Sequence, residues 1–245
     1  SDDAAGFAIA ESMTAQVRGL SMAAKNANDA LGLLKVVENA TNDVTDMLQR
    51  IRELAVQAQS GTNSTGDIAN LQQEANALID EIGRVSEDTK YNGKARIGAD
   101  AATLNIQVGY NDGDVIQITT YDIKAENLGA MVTDAEDVDS DAATTEVLAA
   151  LKSGSTYLDI SQTAEAAVAG TSNRVPGALE VISGAIDQVA MYKAEWGAGQ
   201  NRLQYTVSNL MNVVEFTTAA RSRIQDADFA VEAAKLAKAQ VLQQT

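Results

Sequence analysis

Residues 13–58 read MTAQVRGLSMAAKNANDALGLLKVVENATNDVTDMLQRIRELAVQA, and their apolar side chains keep an alternating spacing of three and four. The seam runs Met13, Gln16, Leu20, Ala23, Ala27, Ala30, Leu34, Val37, Thr41, Val44, Leu48, Ile51, Ala55, Ala58, with twelve of the fourteen positions apolar. A second seam lies near the other end: Leu179, Ile182, Ile186, Val189, Lys193, Trp196, Gln200, Leu203, Val207, Leu210, Val214, Thr217, Arg221, Ile224, ten of fourteen apolar. Seven heptads in each predict coiled-coil helices rather than the shorter helices of a globular core. Each would extend ~70–75 Å at 1.5 Å per residue. Two such helices of equal length, one from each end of the chain, most simply pack against each other. The fold class that follows is mainly α: an elongated rod of long helices from both ends.

Outward from the first seam, Gly61-Thr62-Asn63 ends the helix that begins near Asp3. Ser64 with Asp67 three residues on is a capping-box pattern, weakened by Gly66. Ile68, Leu71, Ala75, Leu78, Ile82 and Val85 then place a second amphipathic helix after a short loop, an antiparallel hairpin of helices. Asn92-Gly93 is a turn signal. Beyond it Leu104–Val108 and Val115–Thr119 alternate with period two about Asp112-Gly113, which predicts a β-hairpin.

Residues 121–174 are the least regular and form a small α+β insertion, too short for an independent domain. Thr145–Lys152 is expected as a short helix and Tyr157–Ile160 as a strand. Pro176, the single proline, is expected in the first turn of the second long helix, where its missing N–H is harmless. The organisation is thus 1–120 and 175–245 as two halves of a helical core, with 121–174 inserted between them.

Composition removes whole classes of function. Acidic residues number 34 against 18 basic, a formal charge of −16. Nucleic acid is excluded as a partner, because phosphate binding needs clustered Lys and Arg. No apolar run is long enough for membrane insertion. With neither His nor Cys, the commonest general base, the commonest metal ligands and every Ser-His or Cys-His pair are missing. Asp137-x-Asp139-x-Asp141 resembles the start of a calcium loop, but Ala142 stands where glycine is needed and Leu148 where the bidentate Glu belongs. No catalytic, cofactor or metal residue is assigned, and the chain is not read as an enzyme. Trp196 is assigned to the seam. Arg50, Arg52, Glu53, Gln57 and Glu74 remain as a charged cluster bracketing the loop between the first two helices, which physics alone reads as a solvated face.

Several longer motifs carry a resemblance. Ser1-Asp2-Asp3-Ala4-Ala5-Gly6, Asn26-Ala27-Asn28-Asp29, Leu48 through Gln57 (LQRIRELAVQ) and Arg84-Val85-Ser86 stand in the first half. Gly197 through Leu203 (GAGQNRL) and Ala220 through Asp228 (ARSRIQDAD) stand in the second. Over residues 1–120 and 175–245 the chain resembles the bacterial flagellins, subunits of the flagellar filament. The resemblance implies a core in which the chain ends pair, self-assembly for motility, and a variable region facing outward. It also implies unfolded export to the cell exterior, with an export chaperone and a filament cap as partners. The family's inner-tube segments lie beyond the motifs at both ends, so the sequence reads as a core fragment. The family is sensed by a Toll-like receptor, and the motif match assigns Arg50, Leu54, Gln57 and Glu74 to that contact. Two rival readings are a surface protein binding a polysaccharide or host surface through the insertion, and the hook–filament junction protein.

Overall fold

The computed structural model describes residues 2–134, 145–163 and 176–243. Three helices dominate: α1 (Asp2–Ala58), α2 (Thr65–Asp88) and α3 (Ala178–Gln243). Four antiparallel strand pairs lie between α2 and α3: β1 (Lys90–Tyr91) with β2 (Lys94–Ala95), β3 (Thr103–Gln107) with β4 (Val115–Thr119), β5 (Gly129–Asp134) with β6 (Thr145–Ala150), and β7 (Lys152–Ser153) with β8 (Thr156–Tyr157). The predicted hairpin about Asp112-Gly113 is β3–β4, with Gly113 at φ +89°. Asn92 and Gly93 both take positive φ, as a two-residue type I′ turn requires, and close β1–β2 in the register Lys90 with Ala95, Tyr91 with Lys94.

The heptad register holds. Every α1 seam position from Leu20 to Ala58 is buried, and none of the fourteen α3 positions is exposed. Thr41, a polar seam residue, satisfies its hydroxyl on the Val37 carbonyl at 2.6 Å, so its burial leaves no donor unpaired.

The chain divides into two compact units, and α1, α3 and the β3–β4 hairpin each contribute to both. One comprises Ser1–Gly32, Asn105–Ile118 and Gly199–Thr245. Its core joins Leu20, Ala23 and Ala24 of α1 to Leu210 of α3, with Val214 packed against them. Asn26 Nδ2 donates to the Gln107 carbonyl (3.2 Å). A Cβ at Gly19 would stand 2.8 Å from that of Tyr110, so only glycine lets the hairpin approach α1 there. The other unit comprises Leu33–Leu104 and Thr119–Ala198. It buries Leu34, Leu48 and Ile51 of α1, Ile79 and Ile82 of α2, and Ile182, Val189 and Trp196 of α3, together with Ile97, Ile123, Leu128, Leu151 and Ile160 from the intervening chain.

Three expectations are corrected. Thr145–Lys152 is not helical: Thr145–Ala150 is β6, paired along its length with β5 from Gly129–Ala150 to Asp134–Thr145. Eight residues are too few for a stable helix, whereas a β-branched stretch gains a full ladder from a distant partner. Of Tyr157–Ile160 only Tyr157 is in a strand, because Gln72 intercepts the rest. Its Nε2 donates to the Leu158 carbonyl (2.9 Å) and its Oε1 accepts from the Ile160 N–H (2.9 Å). Pro176 precedes α3 by two residues, since the Gly177 carbonyl takes the first helical N–H groups, those of Glu180 and Val181. Asp137, Asp139 and Asp141, which resemble the start of a calcium loop, lie outside the described residues.

Candidate functional site

The charged cluster is assembled by the end of α1, its loop and the start of α2. Asn63 Nδ2 donates to the carbonyls of Gln57 and Ser60, taking up acceptors that the end of α1 leaves free. Ser64 then caps α2 reciprocally. The Asp67 N–H donates to Ser64 Oγ (3.2 Å), and the Ser64 N–H donates to Asp67 Oδ2 (3.0 Å). The Ser64 hydroxyl also donates to Asp67 Oδ2 at 2.6 Å, and this bond, followed by that from the Ser64 N–H, holds the Asp67 carboxyl below its ordinary range. The predicted capping box is therefore present despite Gly66.

This turn sets Arg50 beside Glu74. Arg50 Nε and Nη2 each lie 2.8 Å from Glu74 Oε1, and Nη1 donates to Glu53 Oε2 at 3.1 Å. The Glu74 hydrogen bond, then the one to Glu53, raises the guanidinium's proton affinity further. About half of the Arg50 and Glu74 side chains remains accessible, 49% and 46%. Gln57 is exposed as well. The structure thus brings Arg50, Glu53, Gln57 and Glu74 to one accessible surface.

Leu54 is not part of that surface. It is 1% exposed, in contrast to the sequence expectation of an apolar contact beside Arg50. The motif match could not show this, because the buried stripe of α1 is wider here than the heptad seam. Leu33, Ala40 and Leu54 are buried beside the a/d positions. The exposed apolar group nearby is Val56, 57% accessible, with the half-buried Ile186 next to it. With Gln49, Arg52 and Glu53 they line a shallow groove of about 650 Å³. Val56 was legible in the sequence as an apolar residue off the seam; Ile186 was hidden by its seam position.

Trp196 is core, as expected. Its Nε1 donates to the Thr119 carbonyl at 2.8 Å, and Tyr121 and Tyr192 stack beside it at a centroid separation of 4.1 Å. Among the described residues no group of three or more acidic, His or Cys side chains is set to hold a metal.

Residues 1–97 match the family described as bacterial flagellin N-terminal helical region, and residues 179–245 the bacterial flagellin C-terminal helical region. The chain belongs to the bacterial flagellin family. A flagellin of Bacillus subtilis is 38% identical over 255 residues, covering 99% of this chain and 80% of that protein. One of Xenorhabdus nematophila is 38% identical over 254 residues with the same coverage. Among solved structures, Bacillus cereus flagellin shares the fold at a TM-score of 0.52 and 21% identity, over 76% of this chain and 88% of that one. Flagellin is the structural subunit of the bacterial flagellar filament, which its subunits build by self-assembly outside the cell, and that is the function of this chain. The rival reading, a surface protein whose insertion binds a ligand, finds no support among these relatives. No helix of the described residues is long and apolar enough to cross a membrane.

Proposed function

We propose that the unit built from 1–32, 105–118 and 199–245 makes the principal subunit–subunit contacts of the filament. Its carrying observation is where apolar surface is left open. Of eleven exposed large hydrophobic side chains among the described residues, nine belong to this unit: Phe7, Ile9, Met22, Tyr110, Val115, Tyr205, Met211, Val213 and Phe216. Scattered exposed apolar residues are ordinary, but this concentration of aromatic and Met side chains fits a surface that an assembled neighbour covers. Among the other described residues only Val56 and Met191 are open large hydrophobic side chains. In cells where this subunit is the sole filament protein, Tyr205→Ser with Phe216→Ser should shorten filaments by electron microscopy while leaving helicity unchanged. Filaments of normal length would refute the assignment.

On the same reading, residues 1–120 and 175–245 act as the assembly core and 121–174 as the outward insertion, tied to α2 by Lys152–Asp80 and Lys124–Glu87 contacts. The subunit is exported unfolded with a chaperone, is added beneath a cap, and has no catalytic role.

The surface carrying Arg50, Gln57 and Glu74 is proposed as the contact for a Toll-like receptor, with Leu54 supporting it from below. Supporting this is the accessible Arg50–Glu74 pair, joined through Glu53 to the groove that holds the open Val56; Arg is a residue type favoured where binding energy concentrates. Titration against the receptor ectodomain should show Arg50→Ala and Glu74→Ala weakening binding with the circular dichroism unchanged. Binding indifferent to both substitutions would remove the assignment.

A further inference from the structure

We infer that the β1–β2 hairpin, with Lys90, Lys94 and Arg96, is a cationic docking surface for carboxylates of a second copy of this chain; the inference rests on the filament reading. Three of the eighteen basic residues fall within these seven positions of a chain with formal charge −16. Lys90 and Lys94 are exposed, and Arg96 is half-buried with Nη1 donating to the Asp100 backbone carbonyl (3.2 Å).

Among the described residues none of the three makes an ion pair, although acidic side chains stand close by in sequence. Each of those is already engaged: Glu87 by Lys124, Asp88 by Arg84, and the Asp100 carboxylate by the Ala95 N–H at 2.9 Å. Arg50, Arg84, Lys124 and Lys152 are paired within the chain; what sets the hairpin apart from the other described basic residues without an ion pair is that three of them fall within seven positions.

The platform is also rigid. Ser86 is buried and donates to the Ile97 carbonyl at 2.5 Å, and Ile97 is fully buried. A Cβ on Gly98 would stand 2.7 Å from the Ser86 carbonyl oxygen, so glycine is what lets the chain close onto α2. Cations held on a preorganised support lose little freedom when a partner arrives.

Charge complementarity selects the occupant. Packing subunits of charge −16 side by side is repulsive unless local contacts oppose unlike charges. A second copy supplies exposed carboxylates in quantity, among them Asp43, Asp46 and Asp187, which make no ion pair with any described residue.

The test follows elongation of filament seeds by the subunit as the cell makes it, comparing wild type, Lys90→Glu/Lys94→Glu and Lys90→Arg/Lys94→Arg. At low ionic strength the Glu variant should elongate on the order of tenfold more slowly. The difference should shrink as salt shortens the screening length to about 8 Å, and the Arg variant should match wild type. A Glu variant that elongates like wild type, or a deficit indifferent to salt, would overturn the docking surface while the filament reading stands. Wild type failing to elongate would overturn the filament reading and this inference with it. As a separate arm, inorganic phosphate is titrated onto the monomer. Saturable binding lost in the Glu variant would assign the cations to a free anion instead.

Discussion

Tyr121 donates its hydroxyl proton to Glu195 Oε2 at 2.6 Å, and this bond, more than burial, pushes its pKa up to about 12. A raised folded-state value means that the contribution is complete below the unfolded tyrosine pKa near 10 and disappears as pH rises through about 12. Phenolate absorbance titration should therefore find Tyr121 ionising late alongside Tyr192, which burial also raises, and Tyr121→Phe should remove one late step and leave that of Tyr192. Simultaneous ionisation of all tyrosines at the ordinary value would show that the bond is absent in solution. The same scale tests the seam. Leu34 and Leu203 are fully buried, so Leu34→Asp or Leu203→Asp should cost on the order of 3–5 kcal/mol, whereas Asn42→Asp on the exposed face of α1 should do little by thermal melting. Burial of these residues was legible because a sustained 3-4 repeat names its own inward positions. Leu54 was not, because its burial depends on how wide a stripe the neighbouring elements cover, and a heptad says nothing of neighbours. Leu54→Ala should accordingly lower stability, by about 2–5 kcal/mol, and alter any receptor binding only through the fold.

At the scale of elements, local chemistry was the reliable guide and distant partners were the unreliable one. The capping box at Ser64 and the Asn92-Gly93 turn use residues within a few positions of one another, and both formed where the pattern put them. Removing the cap by Ser64→Ala should cost about 1 kcal/mol, measurable by chemical denaturation. An unchanged midpoint would mean that water replaces the cap without loss. The strand β6 was misread as helix because its identity comes from β5, eleven or more residues away, and not from its own alternation. The start of α3 was misplaced for a related reason. Its Ala178 N–H donates to the Gln162 carbonyl (3.0 Å), and Gln162 is itself reached by Gln59 Nε2 (3.1 Å), a glutamine-mediated fastening that no periodicity announces. Side-chain amides thus decide where the intervening chain is held against the helices.

For the whole molecule, the question is whether local attraction or global repulsion governs its response to salt. Six ion pairs are present among the described residues, and all have at least one partner with over two-fifths of its side chain accessible. Exposed pairs contribute about 0–1 kcal/mol each. Against them stands a formal charge of −16 on 245 residues, which screening relieves over every long-range pair of carboxylates. The pairs act over about 3 Å and lose little when the screening length contracts from about 30 Å to about 8 Å, whereas the repulsion acts largely beyond that range. Repulsion should therefore dominate, and the melting temperature should rise as monovalent salt increases from about 0.01 M to 0.15 M. A falling melting temperature over that range would place the balance in the ion pairs. Lys90→Glu with Lys94→Glu adds four negative charges to the difference and should steepen the rise, so the monomer's salt response checks the charge argument without relying on assembly.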